Sequence, residues 1–251
     1  KTKKTNVSPR KLLKSIYQAC FHPIQAVVLI IRYIWSRRKL NRLDKPKWFQ
    51  SENTVFFLSY FIALKDNNLK QGQFYSEMWG PLPDLLRSNN ITTNWIHHFI
   101  RSKQIPSGDK AVDYINQFNS DPMRNGNHNF IDNYLTHRVI LTVVKKYFIF
   151  VLRTLAFSID IDIFSPKNSN ITFWYFLKND WLSSLRGSSA MENILWVELF
   201  DRVLADLPKQ NLGFFLQENQ GWEMAFISAW KKYNHGRLLG VAHSTIRYWD
   251  L

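Results

Sequence analysis

The sequence predicts an α/β protein built on an open, parallel, Rossmann-like sheet that is covered by helices. Two strand–helix–strand patterns indicate this fold, one over residues 54–100 and the other over residues 211–244. In both, a short aromatic or β-branched run precedes a helical stretch and a second apolar run, and strands joined through a helix run parallel. The long stretch between the two patterns reads as a helical insertion.

The first pattern begins with a buried strand, "TVFFLSYFIAL", and continues through a polar loop, "KDNNLKQGQ". A short helix follows, with Pro81 and Pro83 near its start and Asn89 and Asn90 past its end. The second strand is "ITTNWIHHFI". The helix after it, "SGDKAVDYINQFN", has Ser107 or Asp109 as its predicted cap.

The insertion is predicted to be helical throughout. Residues 128–161 predict one long helix, which ends at "SPKNSNIT" because Pro166 cannot continue it. A second helical stretch follows, interrupted at Gly187. The second pattern then consists of the strand "NLGFFLQEN", a helix expected to end at Gly236, and the strand "RLLGVAHS".

The formal net charge of +14 favours anionic partners. Basic runs flank the apolar segment 15–35, whose uninterrupted apolar run is too short to span a bilayer and which lacks a signal-peptide cleavage site. Two interpretations stay open: an interfacial helix that contacts an anionic membrane surface, and a helix of the core. We therefore divide the chain into a basic helical region, residues 1–47, and a Rossmann-like domain, residues 48–251.

Several kinds of site are excluded or not expected. A single cysteine, Cys20, excludes a disulfide framework and a cysteine-based zinc site, and suits a reducing compartment. There is no Walker pattern, no glycine-rich dinucleotide fingerprint and no GxSxG elbow. His128 and His137 are not at ligand spacing on one helical face. We predict neither a metal nor a cofactor.

Polar residues follow both strands of the second pattern. Glu218, Asn219 and Gln220 end the first strand, and ligands bind at the carboxyl ends of the strands in open parallel sheets. The second strand ends in His243, Ser244 and Thr245. A carboxylate near an imidazole and hydroxyls is suited to hold a sugar hydroxyl and move its proton. The alternative is that Glu218 caps the next helix and His243 is a structural loop histidine.

Weaker candidates lie in the first pattern. His97 and His98 end its second strand, and adjacent strand residues face opposite sides, so at most one of them points into any given pocket. Glu77 and Trp79 are candidates to face the same cleft, with structural packing of "MWGPLP" as the alternative.

The block "ENQGWEMAFISAWKKYNHGRLLGVAHSTIRYWDL" resembles the most recognisable part of a bacterial surface-carbohydrate biosynthesis family, large glycosyltransferases of the GT-B type. Weaker matches to the same pattern are "FYSEMWGPLPDLL", "NWIHHFI" and "LRGSSAMENILWVELFD". The resemblance covers roughly residues 50–251. It implies two Rossmann-like halves around a cleft, of which this chain would be the N-terminal, acceptor half. The chain lacks an initial methionine and stops just after a strand, so we expect a fragment without the second half.

The resemblance implies transfer of a sugar from a nucleotide-sugar donor, bound mainly by the missing half, to a saccharide or lipid-linked acceptor. The implied catalytic residues are Glu218, His243 and Glu223. The implied substrate-binding residues are Asn219, Gln220, Ser244, Thr245, Glu77 and Trp79. The expected location is cytoplasmic, including the inner face of the inner membrane.

The alternative function is a non-catalytic basic α/β protein that binds a membrane or nucleic acid. The basic residues concentrate at the N-terminus and most aromatic residues sit in apolar runs that core packing explains, so we expect no nucleic-acid partner.

Overall fold

The computed structural model describes residues 9–121, 124–156, 160–167 and 171–242. The chain divides into two compact units. One, the helical unit, consists of residues 1–33 and 141–195; the other, the sheet unit, consists of residues 34–140 and 196–251. The predicted boundary between residues 47 and 48 stays a prediction.

The described residues form helices in both units, and all five strands lie in the sheet unit. The helices are α1 (Pro9–Arg37), α2 (Asp66–Lys70), α3 (Leu82–Ser88), α4 (Gly108–Ser120), α5 (His137–Thr154), α6 (Trp174–Arg186), α7 (Ser188–Asp206) and α8 (Gly221–Lys232). The strands are β1 (Thr54–Phe61), β2 (Thr92–Phe99), β3 (Gly126–Phe130), β4 (Leu212–Gln217) and β5 (Arg237–Ala242). Short 3₁₀ turns lie at Leu40–Arg42, Ile131–Tyr134 and Ile161–Phe164.

The five strands form one parallel sheet in the order β3-β2-β1-β4-β5. Along the chain, β2 and β3 are added in turn on one side of β1, and β4 and β5 are then added on its other side. Ligands of such sheets bind where the strand order reverses, at the carboxyl ends of the two central strands. The predicted Rossmann-like α/β fold is confirmed, and its switch point lies between β1 and β4.

One face of the sheet carries an aromatic core under α4. Phe57 of β1 stacks on Trp95 of β2 with ring centroids 4.1 Å apart. The helix contributes Ala111, Ile115 and Phe118, all buried, at the spacing of one helical face. Its N-cap is Ser107, as predicted, whose Oγ accepts a hydrogen bond of 3.2 Å from Lys110 N.

The other face of the sheet is covered by α8 and by residues 196–206 of α7, which belong to the sheet unit. Phe56 of β1 contacts Phe226 and Trp230 of α8, with ring centroids 6.0 and 5.4 Å apart. The indole of Trp230 lies directly over the backbone of Gly213, where an added Cβ would be 2.5 Å from Trp230 Cη2. Only glycine allows this close approach of helix and strand.

The prediction of one long helix over residues 128–161 is wrong at both ends, since residues 126–130 form β3, and α5 begins only at His137 and ends at Thr154. Strand β3 is fully buried although its sequence is mostly polar, so its hydrophobic pattern does not predict a strand. Its polar groups find partners: the Asn119 side chain bonds both the N–H and the carbonyl of His128, at 2.9 and 2.8 Å. The Asn127 amide donates to the carbonyl of Lys47. Side-chain amides therefore form hydrogen bonds with backbone groups that, in an apolar strand, would bond to a neighbouring strand.

Two smaller predictions also need correction. The polar loop after β1 contains the short helix α2. Helix α8 ends at Lys232 rather than Gly236, and the left-handed residue after it is Asn234, with φ 54°. Gly236 serves a different purpose, because an added Cβ would lie 2.2 Å from the carbonyl oxygen of Asn211.

Candidate active site at the switch point

A tyrosine and a carboxylate meet where the strand order reverses. Tyr60, near the end of β1, donates a hydrogen bond of 3.0 Å from its hydroxyl to Oε2 of Glu218, which follows β4. Strand alternation places Tyr60 on the same face as Phe56 and Leu58, toward α8. Glu218 is half-buried, so its carboxylate remains within reach of solvent.

His98 and Trp222 complete the cluster. His98 is the β2 residue paired with Tyr60 in the sheet register, and the two rings lie 5.6 Å apart. Trp222, in the first turn of α8, has its ring centroid 4.6 Å from that of His98 and 6.0 Å from that of Tyr60, edge-on to the latter. His98 is only 6% exposed, and its Nε2 has no hydrogen-bond partner among the described residues.

The environment fixes the protonation of both rings. Burial, together with the hydrogen bond to Glu218, raises the pKa of Tyr60 well above its ordinary value, so this hydroxyl stays protonated and donates. Burial, and secondarily the positive charge of Arg37, lowers the pKa of His98 to about 3. The imidazole is therefore neutral near pH 7, with one ring nitrogen as donor and the other as acceptor.

The loop that carries Glu218 is held by Glu223. Oε1 of this buried carboxylate accepts hydrogen bonds from the backbone N–H groups of Glu218 at 2.8 Å and of Gln220 at 2.9 Å. Asn219 between them takes a left-handed conformation, with φ 59°. Glu223 thus holds the backbone at the N-terminus of α8. The side chain of Glu218 instead bonds Tyr60, which differs from the alternative interpretation of Glu218 as the cap of this helix.

The other predicted site residues fall in different places. Asn219 and Gln220 are exposed beside Glu218. Glu77 is exposed just beyond β1, where its N–H donates to the carbonyl of Ala63 at 2.9 Å. Trp79 is a core residue: it is 6% exposed and its indole donates to Ser59 Oγ at 2.8 Å, so the packing alternative describes it.

The second predicted cluster, His243, Ser244 and Thr245, lies outside the described residues. Strand β5 is described as far as Ala242, which pairs with Gln217 at the end of β4.

His97 and His98 do face opposite sides of the sheet, as the strand period predicts. Nε2 of His97 lies 3.1 Å from Nδ1 of His128, between aromatic rings in the core under α4. Burial lowers the pKa of both imidazoles, so the pair is neutral near pH 7. Across the part of the chain that the structure describes, no group of three or more histidine, cysteine, aspartate or glutamate side chains is placed to hold a metal ion.

Tyr60 is the member of the cluster that the sequence does not single out. Its position two residues after Leu58 places it on the α8 face, but its partner depends on β4 lying beside β1. That adjacency follows from the strand order and is not evident from the spacing of residues along the chain.

Comparison with known proteins adds no relative to this description. The chain has no significant match to a protein-family model, to a curated protein or to a solved structure. The assignment of function therefore depends on the geometry of the switch point and on the residues themselves.

Proposed function

We propose that this chain is the acceptor-side half of a GT-B-like glycosyltransferase that acts in surface-polysaccharide biosynthesis. The observation that carries the proposal is the hydrogen bond between Tyr60 and Glu218 at the switch point of a Rossmann-like sheet. The resemblance of residues 218–251 to the surface-carbohydrate family supports the same reaction class.

Glu218 is proposed as the general base. An acceptor hydroxyl loses its proton as it attacks the sugar, and a carboxylate within hydrogen-bond reach can take that proton. Tyr60 is a positioning residue: its hydroxyl, held protonated, bonds Oε2 and fixes the orientation of the carboxylate. Glu223 positions the same carboxylate from the other direction, through the backbone N–H of Glu218.

His98 is proposed to bind a hydroxyl group of the substrate. Its imidazole lies against Tyr60 and Trp222, and its Nε2 lacks a partner among the described residues. A buried ring nitrogen without a hydrogen bond is costly, and a hydroxyl that occupies the site would remove that cost. His243, Ser244 and Thr245 remain proposed contributors from the end of β5.

The experiment is a transfer assay with the whole protein that contains this chain. Nucleotide-sugar donors of different base and sugar are incubated with saccharide and lipid-linked acceptors, and release of the nucleoside phosphate is measured with and without acceptor. We expect release that depends on the acceptor with at least one pair. Salt-dependent oligonucleotide binding, with no transfer from any donor, would instead favour the nucleic-acid alternative.

A further inference from the structure

Over its described side chains, residues 21–37, helix α1 has two apolar faces, of which one is buried and the other exposed. Ala26 and Ile30 lie on the inner face, with 0% and 4% of their surface exposed. On the outer face, large apolar side chains recur every three or four residues and are solvent-exposed. We call these residues the outer stripe: Phe21, Ile24, Val28, Ile31 and Trp35. Such spacing places them along one side of the helix, with Ile24, Ile31 and Trp35 about 60% exposed or more.

The charges around this stripe have one sign. Helix α1 contains no aspartate or glutamate. Arg32, within the helix, and Arg38, in the turn directly after it, are both exposed. The guanidinium of Arg38 lies 3.8 Å from the ring centroid of Trp35, so the cation and the aromatic ring are presented together.

Helix α5 repeats this combination. Leu141, Phe148 and Leu152 are 71%, 51% and 66% exposed. The helix has no acidic residue and carries Lys145, Lys146 and Arg153. Most of the exposed large apolar side chains of the described residues belong to the helical unit, although the sheet unit is the larger.

We propose that the outer stripe of α1 binds an anionic lipid surface. Apolar and aromatic side chains flanked by cations are the composition of helices that lie in the membrane interface. No helix of the described residues is long and apolar enough to cross a bilayer, which fits a helix that lies in the interface. This proposal is independent of the reaction at the sheet edge.

A second copy of the chain is the less favourable occupant. Two α1 helices packed through the outer stripe would bring Arg32 and Arg38 of each copy against a helix that is itself cationic. Neither helix has a carboxylate to pair with them, so the contact would juxtapose like charges. Anionic headgroups supply the missing negative charge, at about 1 kcal/mol for each Lys or Arg near the surface.

The test is flotation of the intact chain with lipid vesicles at low and high salt. Vesicles of phosphatidylcholine with phosphatidylglycerol are compared with vesicles of phosphatidylcholine alone. We expect binding to the anionic vesicles that weakens with salt. Arg32→Gln with Arg38→Gln should weaken it by roughly thirtyfold, which is the loss of two such contacts converted to a binding ratio. Ile24→Ser with Ile31→Ser should weaken it by at least about tenfold.

A matched control tests whether exposed apolar residues in general are responsible. Leu85→Ser with Met224→Ser removes two side chains that are 59% and 70% exposed in the sheet unit, and should leave vesicle binding unchanged. Circular dichroism verifies the fold of each variant. Equal binding to neutral vesicles, or equal loss in the control, would overturn the proposal. So would a dimer in sedimentation that the Ile24 and Ile31 changes convert to a monomer while vesicle binding persists.

Discussion

The Tyr60 hydroxyl donates a hydrogen bond to the Glu218 carboxylate at the point between β1 and β4 where the strand order reverses. Tyr60 lies in β1, and Glu218 follows β4, the first strand added on the side of β1 opposite to β2. One hydrogen bond therefore joins two segments separated by 158 residues at the place where parallel sheets bind ligands.

Tyr60→Phe tests the positioning role. The ring contacts with His98 and Trp222 should persist, but the carboxylate loses the donor that orients it. We expect kcat for sugar transfer to fall about tenfold with little change in KM. Tyr114→Phe, on α4, removes a hydroxyl away from the site and should leave both constants unchanged. A rise in KM with unchanged kcat would assign Tyr60 to substrate binding instead.

Glu223→Ala tests the anchor of the loop. Two backbone N–H groups lose their acceptor, so we expect the free energy of unfolding in urea to fall by about 1–2 kcal/mol. Glu223→Gln keeps an acceptor oxygen and should cost less. Glu192→Ala, on the exposed side of α7, is the control. If the Glu192 and Glu223 variants were equally stable, the two hydrogen bonds would contribute nothing to the fold.

Trp222→Ala should be the most damaging change in the cluster to stability. The side chain is 8% exposed and packs on His98, Tyr60 and Phe200. Truncation leaves a cavity, and we expect a loss of about 3–5 kcal/mol in chemical denaturation. Trp222→Phe should recover a large part of it. A loss below 1 kcal/mol for the alanine variant would mean that α8 does not depend on this contact.

His98 should make the fold sensitive to acid. Its pKa is lowered from 6.5 to about 3 in the folded chain, so below pH 6.5 the unfolded chain takes up a proton that the folded chain does not. The free energy of unfolding therefore falls as pH falls through that window, by up to about 1.4 kcal/mol per pH unit for this group. Urea denaturation at pH 7, 6 and 5 should show a shallower decline for His98→Gln. An unchanged slope in the His98→Gln variant would mean that His98 does not cause the decline.

The parts of this molecule differ in how far the sequence predicts them. Apolar runs with β-branched and aromatic residues identify β1, β2 and β4, which are largely buried by their own side chains, and also β5, an edge strand whose residues are mostly exposed. An apolar run does not identify β3, because its asparagines and His128 are buried through hydrogen bonds with Asn119 and Lys47. Only the fold brings these partners near.

Some residues of the candidate site are likewise predictable from the sequence, and others are not. Glu218 is predictable because a polar residue directly after an apolar strand faces the ligand edge of a parallel sheet. The role of Glu223 as loop anchor and the contact of Tyr60 with Glu218 both depend on distances between segments. Those distances are set by strand order and helix packing, which local pattern does not encode.

The proposed general base is tested most directly by Glu218→Gln in the whole protein, with the transfer rate and the melting temperature measured side by side. The amide keeps the shape of the side chain but cannot accept a proton, so transfer should slow by about 10²-fold or more while the melting temperature changes little. Glu52→Gln is the matched control, because Glu52 is exposed at the amino end of β1, at the opposite edge of the sheet. A Glu218→Gln protein that transfers sugar at the original rate, or that melts early while its specific activity is retained, would contradict the assignment of Glu218 as the base.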